Sequence, residues 1–529
     1  MNRKELAELA FKESCNIETS VPQGAKNGVP FWNIESRQFM YVPTFHFTEV
    51  RGCKKYRYDA VDENGKKHSF EAEDCCVSLA PIWAEIPEGV TRLTVTAIND
   101  DGTDYAVVGA RVFFRLATFP EVTPPAKSKY MDSAIKAFEF TMKQGFIKHW
   151  LTDGTPDPYY DLYSYPSKFI SSLVEAMLSY SRLCPEKKDE AMKVATISAN
   201  WLIGITPRGD TPLADLPLTY YHDYCPDPEK YGVVTANWKA GSSHKDTMMM
   251  IYPAYVGDMY MDLSDATGDD TYRKEALKIA DYYVNTIEEN GSWYLVRSVE
   301  TGEPTVNNFV SPIQSVIPFL MKVYDYTKNE KYKKTADRAV EYVIKTQLSE
   351  YNWEGQFEDI LPSNKYYNLT QYGPVNLAIY YAKYYADNEK CLKTAVELMR
   401  FVEDQFVVWN RHSPWHPDNE TSQEKGASVS KWHSPAALEQ YSWYVPIDAS
   451  IANVIMGFIA LYDAGCGELY LAKAKVLADQ LTIIQQENGR IPTHLMNTKD
   501  ADDNFWYNCM FYSCEALEKM SHYENIVFE

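Results

Sequence analysis

After residue 128, apolar residues recur at spacings of three and four with charged residues on the opposite face, the period of amphipathic helices. The spacing predicts helices over 128–146, 167–183, 186–203, 247–266, 270–288, 309–326, 330–348, 369–386, 388–405, 446–463, 467–487 and 506–521. Their connections alternate in length. Short turns such as "TGDD" at 267, "TKNE" at 327 and "GCGE" at 465 separate members of a pair. Long loops over roughly 147–166, 204–246, 289–308, 349–368, 406–445 and 488–505 separate the pairs. Before residue 118 the pattern is that of short strands. "YRYDAVDENGKKHSFEAE" carries Asn64-Gly65 at a hairpin turn, and Asp101-Gly102 repeats the device.

An internal repeat marks the helices that follow the short turns. "TYRKEALKIADYYV", "KYKKTADRAVEYV", "KCLKTAVELMRFV" and "LYLAKAKVLADQLT" each place a small residue at one position, Ala276, Ala336, Ala395 and Ala474. Small side chains there let neighbouring helices approach closely. Six hairpins of this kind, the last helix pairing with the first, can close into a ring with one helix of each pair inside. An open solenoid is the competing architecture, but its loops need not alternate so sharply. The closed ring puts all long loops at one rim.

Twelve helices as six hairpins behind an N-terminal antiparallel β region resemble the six-hairpin glycosidase superfamily, whose fold is an (α/α)6 toroid. The resemblance covers about 128–521 and lies in the architecture, with no catalytic signature to carry over. It implies a carbohydrate-active enzyme with its cleft at the long-loop rim. The expected organisation is therefore a mainly α protein: a β-sandwich of immunoglobulin or fibronectin type over 1–120, a proline-bearing linker over 121–128, and an (α/α)6 toroid over 129–529.

Composition narrows the partners. The net charge of −21 lacks the basic footprint that nucleic acid or an anionic membrane requires. No apolar run approaches the length of a membrane span, and the N-terminus has no signal-peptide pattern. The 10 cysteines are scattered and form no CxxC pair, so reduced thiols and a cytoplasmic setting are expected. No cofactor fingerprint is present and no cofactor is expected. The 40 tyrosines and 12 tryptophans offer flat faces with polar handles, a composition that suits an oligosaccharide or polysaccharide partner.

Candidate chemistry concentrates on the long loops and the starts of the inner helices. Aromatic, amide and charged residues there form a substrate-binding set: Tyr160, Asp161, Tyr165, Lys168, Tyr221, His222, His244, Trp353, Gln356, Asn368, Trp409, Tyr441, Trp443, His494 and Trp506. "WEGQFEDI" sets Glu358 and Asp359 among apolar residues, and "FVEDQFVVW" does the same with Glu403 and Asp404. At a helix C-terminus such acids oppose the dipole by roughly 0.3–1 kcal/mol, so they need a partner or a use. The bland alternative is an ion pair with Arg400 or Arg411. Glycoside hydrolysis needs two carboxyl groups, about 5–5.5 Å apart for retention and roughly 6.5–9.5 Å for inversion. Sequence neighbours diverge, so one of Glu358 and Asp359 would be the acid and Asp448 or Asp404 the base, with Asp161 and Glu439 as further partners. Asp448 has a rival reading as a helix N-cap.

Elimination across a uronide is the alternative, with Tyr220, Tyr221, His222, His244, Arg411, His412, His416, His433 and His494 as the rim groups that would serve it. A sugar epimerase, or a catalytically silent glycan-binding toroid, also fits the pattern. The spacing of His412, His416 and His433 is compatible with zinc, but no regular element fixes them, so no metal is expected.

Overall fold

The computed structural model describes residues 1–18, 25–26, 29–30, 36–355, 368–414, 432–441, 445–496 and 505–528. It opens with a helix the strand pattern does not announce, α1 (Arg3–Asn16), started by a capping box between Asn2 and Glu5. After the short pair Ala25–Lys26 and Val29–Pro30, five strands build the main sheet: β1 (Gln38–Phe39), β2 (Lys55–Val61), β3 (Lys67–Ala72), β4 (Gly89–Ile98) and β5 (Asp104–Arg115). Their order is β1-β5-β4-β2-β3, with β1 parallel to β5 and every other neighbour antiparallel. Both expected hairpin turns form. Gly65 and Gly102 each take φ of 82°, the left-handed backbone that glycine adopts without a Cβ clash.

Among the described residues the other strands of this region, Ala25–Lys26 and Val29–Pro30, form a separate two-stranded antiparallel sheet. The buried face of the main sheet is covered by side chains. Phe113 of β5 meets Phe39, Phe45 and Trp83 at ring separations of 6.1, 5.6 and 5.8 Å. Trp83 ends a single helical turn, Ala80–Trp83, and the Arg115 guanidinium lies 4.3 Å over its ring. Covers this short leave no periodic signal in the sequence.

The remainder is an (α/α)6 toroid. Its hairpins are α4 (Pro166–Leu183) with α5 (Lys188–Ile205), α7 (Tyr252–Thr267) with α8 (Asp270–Thr286), and α9 (Val316–Thr327) with α10 (Glu330–Val343). Then come α11 (Tyr372–Tyr384) with α12 (Glu389–Phe406) and α13 (Asp448–Asp463) with α14 (Glu468–Ile484). The last helix, α15 (Tyr507–Ser521), packs on the first of the toroid, α2 (Tyr130–Met142), as ring closure requires. Two further helices, α3 (Gly145–Thr152) and α6 (Ala236–Ser243), and the single turn Pro228–Tyr231 sit within the first two long connections.

Around the inside, α4 packs on α7 and on α15, α7 on α9, α11 on α13, and α13 on α15. Between the α9–α10 and α11–α12 hairpins, Tyr385 Oη donates to Asp337 at 3.4 Å. At that junction the Trp353 ring presses on Gly373, where an added Cβ would come within 2.9 Å of it. The repeat alanines Ala276, Ala336, Ala395 and Ala474 are all fully buried, as close helix approach demands.

The long loops are laced together by short antiparallel bridges, including Glu354 with Leu369, Thr370 with Gln440, Leu438 with Pro446, and Ile447 with His494. These bridges satisfy backbone groups that would otherwise be buried without partners.

Candidate active site in the lumen of the toroid

The inner helices bury most of their circumference, so a charged side chain on one of them has few places to go. Each instead turns one accessible stripe toward the hollow of the ring. From α4 this stripe brings Lys168 and Glu175, from α7 Tyr255, Asp258 and Asp262, and from α9 Lys322. From α11 come Tyr372, Asn376 and Lys383, from α13 Asn453 and Met456, and from α15 Tyr512 and Glu515. Tyr512 keeps 36% of its surface exposed although helices surround it.

At mid-depth, carboxylate oxygens of Glu175, Asp258 and Asp262 lie within 4.8 Å of one another. Such a triad would suit a divalent cation, but Lys322 already supplies positive charge there. Its Nζ stands 3.1 Å from Asp258 and 2.6 Å from Asp262. Burial works against the Lys322 charge, yet the two aspartates outweigh it and raise its pKa. Glu175 is pushed well above the usual carboxylate range, by burial first and then by Asp262 and Asp258. Asp258 is also raised by burial, against the pull of Lys322. Glu515 is pushed up to about 7 by burial and then by Asp258, Glu518 and Asp262. Three carboxyls crowded around one ammonium cannot all ionise, so protons and charges are shared out among them.

Nearer the long-loop rim the lining changes to amides and aromatics. Asn453 Nδ2 donates to Gln371 Oε1 at 2.6 Å, and Asn376 Nδ2 reaches Asn453 Oδ1 at 3.3 Å and the Tyr372 carbonyl at 2.8 Å. The Lys168 ammonium stands 4.9 Å from the Trp506 ring and 5.8 Å from that of Tyr252. Burial raises the Tyr372 hydroxyl pKa, and Glu439, Cys509 and Tyr512 add to it. A hollow with acids in mid-depth and amides and rings above can grip a polar ring compound and move protons on it.

The residues singled out from sequence fare unequally. Glu358, Asp359, Gln356 and Trp443 lie outside the described residues, as does His416. Lys168 and Trp506 come together at the mouth of the lumen. Asp448 opens α13 without capping it through its side chain, and it is fully buried. Its Oδ2 accepts from Ser513 at 3.0 Å, Oδ1 has no hydrogen-bond partner, and burial raises its pKa well above the carboxylate range. Burial thus favours the protonated form of Asp448, while the hydrogen bond from Ser513 works the other way.

Asp404 faces the β region. It accepts from the Met40 and Tyr41 amides at 2.6 and 3.0 Å and from Gln405 Nε2 at 2.7 Å. Beside it Glu403 pairs with Lys473 at 2.6 Å and accepts from Trp409 Nε1 at 3.0 Å. Asp404 and Glu403 bolt the toroid to the β region through the Met40 and Tyr41 amides and the Tyr41 hydroxyl, while the charge of Glu403 is paired within the toroid by Lys473 and not by the expected arginines. Arg411 is engaged with Glu63 at 2.6 Å.

Most of the aromatic candidates are packed into walls. Trp353 is fully buried, and Tyr160 stacks on Phe146 at 3.9 Å. Tyr165 donates to the Asn237 carbonyl at 2.9 Å, and Trp409 is 3% exposed against Phe119. Asp161 accepts from Thr235 at 2.5 Å, and Tyr221 lies edge-on to Trp201. His222 meets Trp238 edge-on at 4.5 Å, and His244 stacks on Tyr220. Tyr441 donates to Gln405, while Asn368 and His494 are 4% exposed.

Sequence reading passed over Glu175, Asp258, Asp262, Lys322 and Glu515. The signal was present as single charges within apolar helices, in "SSLVEAMLSYS", "YVGDMYMDLSD", "PFLMKVY" and "YSCEALEKM". Reading it requires knowing that these helices line a hollow.

The fold and lumen thus define a single-chain toroid with a polar, solvent-accessible interior. Among solved structures it is similar to a family 76 glycoside hydrolase from a bovine Bacteroides thetaiotaomicron strain, at 13% identity, covering 91% of this chain and 95% of that one, with a TM-score of 0.48. It is also similar to a cellobiose 2-epimerase from Spirochaeta thermophila, at 10% identity over 74% of this chain and 98% of that one, TM-score 0.48. A D-mannose isomerase matches at 12% identity over 76% and 99%, TM-score 0.49. At such identities the likeness concerns the course of the helices alone. No family model matches the chain, and no curated protein matches its sequence. No described helix is long and apolar enough to cross a membrane.

Proposed function

We propose that this chain is a carbohydrate-active enzyme, and within that class a glycoside hydrolase whose reaction takes place in the lumen of the toroid. The observation that carries the reading is Glu515: a solvent-accessible carboxyl, enclosed by helices, with its pKa pushed up to about 7. A carboxyl that is still protonated near neutrality is what a general acid for a leaving sugar oxygen requires. Hydrolysis also needs an ionised partner, and the Lys322-bound pair of Asp258 and Asp262 supplies one. In this reading Glu515 gives its proton to the glycosidic oxygen while a carboxylate of that pair draws a proton from water. Tyr255, Tyr372 and Tyr512 offer faces for sugar rings, and Asn376 and Asn453 offer hydrogen bonds to hydroxyls. Asp448 at the rim, its pKa raised by burial, is a second candidate proton holder.

The test is incubation of the purified chain with a panel of neutral and uronic oligosaccharides. New reducing ends without an ultraviolet-absorbing product, lost in Glu515→Gln, support hydrolysis. An absorbing unsaturated product would replace it with elimination. Absence of any change in the whole panel would remove the enzymatic reading.

A further inference from the structure

The lumen carboxyls come from three helices, and a single ammonium touches two of them. Asp258 and Asp262 are one turn apart on α7, where like charges repel. Lys322 reaches across from α9 and bonds to both, at 3.1 and 2.6 Å, while remaining 31% accessible. Glu175 approaches the same pair from α4, with its oxygen within 4.8 Å of theirs, and Glu515 faces them from α15. Lys383 on α11 acts on Asp258 through space, more weakly than Lys322 does. The accessible stripe of α13, Asn453 and Met456, carries no charge. Glu175 Oε1 has neither a hydrogen-bond partner nor accessible surface, and among the described residues no ion pair reaches Glu515.

From this geometry we infer that Lys322 is a positioning residue that decides which lumen carboxyls are ionised, holding the Asp258–Asp262 pair as the base side and leaving the proton with Glu515. The inference rests on the hydrolytic reading of the lumen but makes a claim of its own about charge distribution. One ammonium can neutralise about one carboxylate, so removing it forces protons onto the aspartates. A base that is protonated at working pH cannot take a proton from water.

The experiment compares the full-length chain with Lys322→Met and Lys322→Arg. Carboxyl titrations are followed by carbon-13 NMR after labelling aspartate and glutamate, and the pH profile of turnover is recorded on whichever glycan the wild type cleaves. In Lys322→Met the Asp258 midpoint is expected to rise by about one pH unit or more. The acid limb of turnover should move up with it, and Lys322→Arg should restore both. An unchanged Asp258 midpoint in Lys322→Met would overturn the inference. A shifted midpoint in a chain that cleaves no glycan would instead leave the charge claim standing and defeat the hydrolytic reading. If Lys322→Met does not fold, Asp262→Asn serves in its place. Lys322 then pairs with Asp258 alone, so the Asp258 and Glu515 midpoints should both fall, and an Asp258 midpoint that stays put counts against the proposal.

Discussion

Lys473 and Glu403 form an ion pair of 2.6 Å in which each side chain is 2% exposed. They come from neighbouring outer helices, α14 and α12, and Tyr41 from the β region completes the Glu403 carboxylate at 3.2 Å. A buried pair of this kind adds little net stability beside a well-packed apolar substitute, but removing one member strands the other charge. Lys473→Met should therefore lower stability by about 3–5 kcal/mol. The double variant Lys473→Met with Glu403→Leu should regain most of that loss. Urea unfolding midpoints would check it, and equal losses in single and double variants would contradict the pairing.

Asp448 makes stability depend on pH in a defined direction. Its folded pKa is raised, so the folded state holds a proton that the unfolded chain releases above about pH 4. The stabilisation is complete below that pH and is lost as pH rises toward the folded pKa, at about 1.4 kcal/mol per pH unit. Asp448→Asn removes this slope. Melting temperatures of wild type and variant should diverge from about pH 4 upward in favour of asparagine. A constant difference at every pH would contradict burial of a neutral acid.

Glu515→Gln keeps the size and polarity of the side chain but cannot deliver a proton. Turnover on a cleaved glycan should fall by about 10²–10⁴-fold, with KM little changed and the circular dichroism spectrum intact. The alkaline limb of the wild-type profile should lie near pH 7, where the Glu515 proton is lost. A profile flat through neutrality would place the proton donor elsewhere.

Gly257 permits α7 and α9 to touch. A Cβ there would fall 2.3 Å from the Phe319 ring. Gly257→Ala should cost about 1–3 kcal/mol by overpacking. Adding Phe319→Leu should relieve part of it, measured by thermal unfolding. Additive losses would mean that the two helices do not meet at this point.

The hairpin count, the turn at Asn64-Gly65 and the small-residue seam of Ala276, Ala336, Ala395 and Ala474 were legible because each is a local property. Periodicity, turn chemistry and side-chain volume act over a few residues. The N-terminal helix escaped because its apolar stripe is weak, with only Leu6, Ala10 and Ser14 buried. The cover of the β sheet escaped because Phe39, Phe45 and Trp83 stand in segments too short to repeat.

The adjacent acids at 403 and 404 show the limit most clearly. Sequence alone established that two carboxylates amid Phe401, Val402, Phe406 and Val407 must be compensated, since a buried charge without a partner is too costly to keep. It could not say by what. The partners, Lys473 and the Met40 and Tyr41 amides, lie 70 and more than 360 residues away, and only ring closure against the β region brings them within hydrogen-bonding reach. The same holds in the lumen, where the acids of α4, α7 and α15 acquire their altered proton affinities from one another across the ring. Charge and helical period are written along the chain, whereas pKa depends on distance and solvent access, and those exist only once the helices have closed.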